Sequence, residues 1–404
     1  MAMMPVLSST CQPMPPRPRP RPRHIVHLVY RFAAGGLENV VVQLINHLPY
    51  DEFQHSVVAI AGFDEVFAAR IERPDVQVFS LDKGPGQPFK LYPRMFKLFR
   101  LLRPDVLHSC NLAAMEFVPM AALAGVPRRV HVEHGWDVGD LGGGNAHYNL
   151  LRKIYKPFVH EFVAVAEPLH AYLLDKIGVP PEHLQLIPNG VDTRQFRPWQ
   201  AGDALPAGWP FERGVDWVVG YVGRLVEVKN PLLLVDAFVA LAQCGAPGTE
   251  RMRLAMIGAG PLDAAVRQRM QDAGLIDRLW LPGVRSDVAE IFRALDCFVL
   301  PSLFEATSCT LQEAMATGLK MVATNVGGNA ALLQGGRCGT LVPSEDAAAL
   351  AAAILTHYAS AAANPHAASK PPAAHNQPTA AMEVIARQYG LDAVVARYRR
   401  LFLA

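Results

Sequence analysis

The sequence predicts an α/β protein made of two doubly wound, Rossmann-like domains facing each other across a cleft. Three observations carry this. Strand-like apolar runs alternate with helical-period segments along most of the chain. The alternation comes as two series, separated by a Pro/Gly/Trp-rich interval at 198–214. Finally, 404 residues with 51% hydrophobic content exceed what one core ordinarily serves.

In the first series, strands at 24–30, 55–60, 106–108 and 130–133 alternate with helical segments at 37–47 and 89–103. In the second, strands at 217–221, 253–257, 279–281 and 297–300 alternate with helices at 231–242, 262–273 and 288–294. A βαβ rhythm of this kind implies a parallel sheet covered by helices on both faces. The domains are accordingly expected at 24–197 and 198–388, with a last helix at 389–404 that is apolar at Leu391, Val394, Val395, Tyr398 and Leu401 and must dock somewhere. Residues 16–23 alternate proline and arginine, so 1–23 reads as a disordered basic tail. The Ala/Pro-rich stretch 358–381 reads as a low-complexity surface excursion.

Composition excludes several classes. Net charge is +2 from 38 basic and 36 acidic residues, so no global field favours nucleic acid and any anion site must be local. The six cysteines are scattered without a C-x-x-C pair, which fits reduced thiols in a cytoplasmic protein. No stretch reaches the ~20 apolar residues of a membrane span. There is no HExxH, no paired Asp-x-Asp and no clustered His/Cys spacing, so the sequence makes no positive case for a metal or other cofactor.

The most informative segment is Pro301-Ser-Leu-Phe-Glu-Ala-Thr-Ser-Cys-Thr-Leu-Gln-Glu313. It follows an apolar strand and opens a helix, which puts Glu305 and Glu313 at the carboxyl edge of a parallel sheet, where open α/β folds bind ligands. Glu305 falls in a loop with no helix to cap, so it must be solvated or used. Glu313 falls in the first turns of the helix, where either a Thr310-x-x-Glu313 capping box or a ligand contact is open to it.

Other loops at strand ends outline the same cleft. Gly35-Gly36 turns a strand into a helix with no side chain in the way, so its backbone N–H groups can approach an anion or a sugar. Arg224 and Lys229 are two cations in one loop, spaced to reach a diphosphate, although two solvated surface cations would look the same. His134, between Glu133 and Gly135, looks exposed and able to bond a hydroxyl or a developing charge. Asn189-Gly-Val-Asp192 and Gly223 lie in further loops of this set. Gly258-Ala-Gly260-Pro-Leu-Asp263 imitates a dinucleotide fingerprint but has Asp at the third glycine position, which weakens a nicotinamide reading.

In this order, Arg31-Phe-Ala-Ala-Gly-Gly-Leu-Glu-Asn39, Glu133-His-Gly135, Asn189-Gly-Val-Asp192, Val222-Gly-Arg-Leu225 and the Glu305/Glu313 pair resemble the GT-B glycosyltransferases of family 4 (group 1), and most of all the sugar transferases of exopolysaccharide and PEP-CTERM systems. The resemblance runs from about residue 24 to 342. It implies a hexosyltransferase that moves a sugar from a nucleoside diphosphate sugar to an acceptor hydroxyl, with retention and without a metal; the acceptor would be a saccharide or a lipid-linked exopolysaccharide intermediate. By the same resemblance, Gly35 and Gly36 approach diphosphate and acceptor, His134 contacts the donor sugar, Arg224 and Lys229 hold the diphosphate, Glu305 meets sugar hydroxyls and Glu313 meets the ribose. Asn189, Gly223, Gly258 and Gly260 belong with the donor-binding loops. Ala306 and Thr307 depart from the family's usual glycine and bulky apolar residue, which keeps an inactive GT-B scaffold open; a sugar-nucleotide epimerase sharing the fold is the other alternative.

In 89–103, helical spacing gathers Leu91, Met95, Leu98, Phe99 and Leu102 on one face and Lys90, Arg94, Lys97 and Arg100 on the other. A helix packed on its own sheet with a solvated basic face has this pattern. So has one that lies on anionic lipid at the inner face of the cytoplasmic membrane.

Overall fold

The computed structural model describes residues 21–86, 88–136, 142–363 and 379–404. Two parallel sheets organise them. The first contains β1 (Arg23–Val29), β2 (Phe53–Ala59), β3 (Gln77–Ser80), β4 (Val106–Cys110), β5 (Arg128–Glu133), β6 (Glu161–Ala164) and β7 (Leu184–Leu186), in the order β3-β2-β1-β4-β5-β6-β7. The second contains β8 (Trp217–Val222), β9 (Met252–Ile257), β10 (Leu279–Gly283), β11 (Cys297–Leu300), β12 (Lys320–Thr324) and β13 (Thr340–Val342), in the order β10-β9-β8-β11-β12-β13. Both are doubly wound, as expected. In each, strand order reverses once, between β1 and β4 and between β8 and β11, and these are the places where such folds open a crevice at their carboxyl edge.

Central strands are buried along their whole length, for instance all five residues of β4 and all four of β11, because helices cover both faces. The helix Pro231–Gln243 shows the local logic. Proline at its first position fits the free amino end, and Leu234, Phe238 and Leu241 pack onto the second sheet. Gly220 lets Leu295 cross over β8, since a Cβ there would sit 2.1 Å from Leu295 Cδ1.

The last helix, Leu391–Leu403, leaves the second sheet and packs on the first. Leu391, Val394, Val395, Tyr398, Leu401 and Phe402 join its core, and Phe402 meets His108 ring to ring at 5.6 Å. Where the chain returns it pairs with the outgoing connection: Val191 N–H donates to Tyr389 O at 2.9 Å and Leu391 N–H to Val191 O at 3.0 Å.

Several expectations are corrected. The basic tail was expected to reach residue 23, yet β1 starts at Arg23 and Arg21 bonds Asp105 at 2.8 Å; residues 1–20 lie outside the described residues. The 358–381 excursion is helical at both ends, in Ala347–Ala362 and Ala380–Val384, because alanine-rich sequence with Asp346 and Thr379 caps favours helix; residues 364–378 are outside the described set. The 89–103 segment is a short 3-10 turn, Pro88–Leu91, followed by the helix Tyr92–Leu102. Its apolar face is already used, with Met95 and Phe99 in the first core.

Candidate active site

The loops at the two crossover points face one another. On the first sheet, β1 runs into the Gly35–Gly36 turn, β4 into Asn111 and β5 into His134. Asn111 adopts a left-handed conformation, φ 61°, which asparagine tolerates, and its Oδ1 accepts the His134 backbone N–H at 2.8 Å. On the second sheet, β8 runs into the loop with Arg224 and Lys229, and the neighbouring strand β11 into the loop with Glu305.

Glu305 is 5% exposed and held from two sides. Lys229 Nζ donates to its two carboxylate oxygens at 2.7 and 2.8 Å, and Ser302 Oγ donates to Oε1 at 2.7 Å. The two loops are also tied by the Leu303 N–H to Val228 O bond at 2.9 Å. Sequence reasoning aimed Lys229 at a diphosphate and left Glu305 without a partner; the structure joins the two as one pair, because their strands are adjacent. Arg224 is exposed beside them, and its charge is felt across the cleft by Glu38. Burial nevertheless pushes the Glu38 carboxyl up to about 7.

The glycines have distinct uses. A Cβ on Gly36 would sit 3.5 Å from Cys309 Sγ, so the first domain's glycine turn meets the opening residue of the second domain's helix Cys309–Thr317. At Gly258, φ 136°, a Cβ would lie 1.9 Å from Gly223 O, and at Gly260 one would lie 2.3 Å from Leu225 O. These two glycines bring two loops together and so set the path of Gly223 and Arg224. Gly223 N–H donates to Ile257 O at 2.9 Å and Leu225 N–H to Ala259 O at 3.0 Å. Gly327, φ 51°, backs Glu305 in the same way, since a Cβ there would meet Glu305 O at 1.7 Å.

His134 is not exposed in the expected sense. Both ring nitrogens are sealed from water and neither has a hydrogen-bond partner, although Asn189 lies nearby. Burial, with His131 close by, lowers its pKa to about 4, against the pull of Glu133, so it is neutral at pH 7. Asn189 Nδ2 donates to Cys309 Sγ at 3.3 Å and Gln312 Nε2 to Asn189 O at 3.3 Å, while Asn189 Oδ1 and Gln312 Oε1 are buried without a partner. Unpaired buried polar atoms are costly in a finished core, so the group of them around Asn189 is a candidate place for polar ligand atoms.

Glu313 is buried and does not cap. The cap is Ser308, whose Oγ accepts Leu311 N–H at 3.2 Å, so the Thr310 capping box does not form. Burial raises the Glu313 carboxyl to about 8, which leaves it protonated near neutrality and able to donate to a hydroxyl. Ala306 joins the first core, its methyl 3.9 Å from where a Gly135 Cβ would lie, and Thr307 Oγ1 donates to Val165 O at 3.2 Å. The departures at 306 and 307 thus tie the two domains together.

From sequence, Glu38 and Asn111 stand at the ends of two cleft-lining loops, 34–38 and 108–111, without a role of their own, and Ser302, Cys309 and Gln312 have none. Ser302 and Gln312 stand within the glutamate segment, so their place in it was the available signal. The hold of Asn111 on His134 becomes visible only when β4 and β5 are paired. A separate, mainly apolar cavity of about 300 Å³ is lined by Arg197, Met382, Ile385 and Arg387, near the C-terminal crossing and away from Glu305 and Lys229.

Known proteins match this arrangement in both halves. A model described as Glycosyltransferase Family 4 covers residues 34–195, and one described as Glycosyl transferases group 1 covers residues 216–360. The putative glycosyltransferase EpsF of Bacillus subtilis (strain 168) is 25% identical over 309 residues, spanning 74% of this chain and 78% of that protein. The UDP-Gal:alpha-D-GlcNAc-diphosphoundecaprenol alpha-1,3-galactosyltransferase of Escherichia coli is 28% identical over 336 residues, 80% of this chain and 84% of that protein. In fold, the chain resembles Anabaena HepE solved with UDP and glucose, with TM-score 0.72, 18% identity, and coverage of 94% of this chain and 99% of that one. With one enzyme family matched on either side of the cleft, the chain belongs to the group 1, family 4 glycosyltransferases and is an enzyme of GT-B fold.

Proposed function

We propose that the enzyme transfers a hexosyl group from a nucleoside diphosphate sugar to an acceptor hydroxyl, with retention of anomeric configuration and without a metal. The observation that carries this reading is the Lys229–Glu305 pair beside Arg224, at the crossover of the second sheet and opposite Gly36 and His134. Breaking the bond from sugar to diphosphate builds negative charge on the leaving group and positive charge at the anomeric carbon. Arg224 and Lys229 suit the first, and Glu305 and the neutral His134 suit the sugar ring and its hydroxyls. Glu305 already accepts from Lys229 and Ser302, so it is a poor nucleophile, which favours front-side attack with the departing phosphate taking the acceptor proton. Glu313 is assigned to the ribose, and Asn189 with Gln312 to further donor hydroxyls.

The test is a panel of nucleoside diphosphate sugars screened for thermal stabilisation, followed by an assay of nucleoside diphosphate release. The expected result is stabilisation by one donor class, release that rises on adding acceptor, no loss of activity with chelator, and a product with the donor's anomeric configuration. Isomerised nucleotide sugar formed without acceptor would instead identify an epimerase, and no affinity for any activated sugar would end the proposal.

An acceptor of the lipid-diphosphate-linked saccharide class is supported by the Escherichia coli relative, a galactosyltransferase that acts on a diphosphoundecaprenol-linked sugar. Among the described residues no helix is long and apolar enough to cross a membrane. Contact with the inner leaflet would use the outer edge of the Tyr92–Leu102 helix, where Leu101 is 75% exposed next to Lys97 and Arg100, and Phe89 just before it is 58% exposed. Each basic residue near an anionic surface contributes about 1 kcal/mol. Vesicle flotation at low salt is expected to carry the protein with anionic but not neutral lipid, and Lys97→Glu/Arg100→Glu is expected to abolish this. Protein that stays wholly in the soluble fraction would refute membrane contact.

A further inference from the structure

Below the cleft floor the first sheet carries a row of imidazoles that sugar transfer does not use. His27 on β1 sits between two others. Its Nδ1 is 2.8 Å from Nδ1 of His108 on β4, and its Nε2 is 3.0 Å from Nδ1 of His55 on β2. The far nitrogen of His108, Nε2, faces Cys110 Sγ at 3.8 Å. His108 and Cys110 are two apart on one strand and so share a face, and His134 follows the neighbouring strand β5. One ligand atom from each of His108, Cys110 and His134 lies within 4.8 Å of the others.

Two further features set this group apart from an ordinary core. His134 is half-buried, and both its ring nitrogens are shielded from water without a hydrogen bond of good geometry, with Asn189 close enough to act on the ring; this is unfavourable for an imidazole unless it takes a ligand. His108, by contrast, is oriented: if its Nδ1–H donates to His27 Nδ1, and His27 Nε2–H donates to His55 Nδ1, the lone pair on His108 Nε2 points at Cys110. Hydrogen-bonded support of this kind fixes the tautomer of a metal-binding histidine.

We propose that His108 Nε2, Cys110 Sγ and a ring nitrogen of His134 bind one thiophilic divalent cation of the zinc type at the floor of the interdomain cleft. Two nitrogens and a sulfur suit tetrahedral zinc or cobalt, with ligand atoms drawn in to about 2.0–2.3 Å and a fourth position left for water. Cys110 binds as thiolate and gives its proton to solvent as the ion enters. Such an ion takes no part in the transfer proposed above. It occupies His134, and by doing so withdraws that imidazole from the sugar.

The test uses the full chain, stripped with chelator and titrated with cobalt(II) alone. The expected result is one cobalt per chain, with a near-ultraviolet cysteinate-to-cobalt charge-transfer band and the visible bands of tetrahedral cobalt, both displaced by zinc. Cys110→Ser is expected to lose the charge-transfer band and Cys309→Ser to keep it. His134→Gln, at the cleft surface, is expected to lose the tetrahedral visible bands, and it keeps the test open should Cys110→Ser fail to fold. No band in the unaltered chain, or a band that survives Cys110→Ser, overturns the site. The readout involves no sugar, so its failure and the failure of the glycosyl-transfer reading are told apart.

Discussion

Lys229→Ala is expected to lower kcat/KM for sugar transfer by about 10²–10³-fold, the usual loss when a preorganised charge aimed at a developing anion is removed. The size follows from the double duty of Lys229. Its ammonium donates to both oxygens of Glu305, and it stands in the loop with Arg224 where a diphosphate would sit. Removing it withdraws a cation from the leaving group and also frees a nearly buried carboxylate, whose charge then repels the phosphate. Glu305→Gln keeps the shape but weakens the hold on Lys229, so it is expected to show a large loss of its own. The double variant Lys229→Ala/Glu305→Gln is then expected to fall well short of the product of the single losses, because the two groups act as a unit. Steady-state kinetics with the donor found by thermal screening measures this. An unchanged kcat/KM in Lys229→Ala, or strictly additive losses, would separate the pair from the reaction. Lys229 is a quarter exposed, so the pair's share in stability is small and the variants are expected to fold.

The largest expected effect on stability belongs to Arg152→Met. Arg152 and Glu133 are both 1% exposed, with Nε to Oε1 at 2.6 Å, and Nε2 of His131 approaches the same oxygen at 3.3 Å. Burial alone would push the Glu133 carboxyl up, but Arg152 and His131 outweigh it and hold the pKa at about 2. Taking away the guanidinium leaves an uncompensated charge in the core, which costs about 3–5 kcal/mol and a fall in Tm on the order of 10 °C. The double variant Glu133→Gln/Arg152→Met is expected to recover much of that loss, since no buried charge remains. The pH dependence follows from the sign of the shift. The folded carboxyl titrates below its unfolded value of ~4.3, so the pair's contribution is complete above that pH and is lost as pH falls toward about 2. Thermal melts of the unaltered chain and the double variant are expected to converge across that interval. A single variant as stable as the parent would refute the account.

Most of the architecture was legible because its strands are continuous apolar runs between turn signals, as in β4 and β11. β7 and β13 have three residues each, too short for periodicity to register. The glutamate segment could be placed at a sheet edge because a strand precedes it and a helix follows. The partner of Glu305 could not be read, since Lys229 is 76 residues away and only the adjacency of β8 and β11 joins them. The same holds for His27, His55 and His108, on three strands that become neighbours only in the sheet. The sequence offered Thr310 as the cap of the glutamate helix, whereas Ser308 holds that place. The last helix showed its apolar face clearly, but an apolar face does not say which core it will fill.

The answer it gives has a consequence for synthesis. Tyr398 and Phe402 plug the half of the molecule made first, so that half stays unfinished until the Leu391–Leu403 helix has cleared the ribosomal exit tunnel. The first core thus takes its final packing only after the second domain's strands have been translated, so strictly domain-by-domain folding does not complete it.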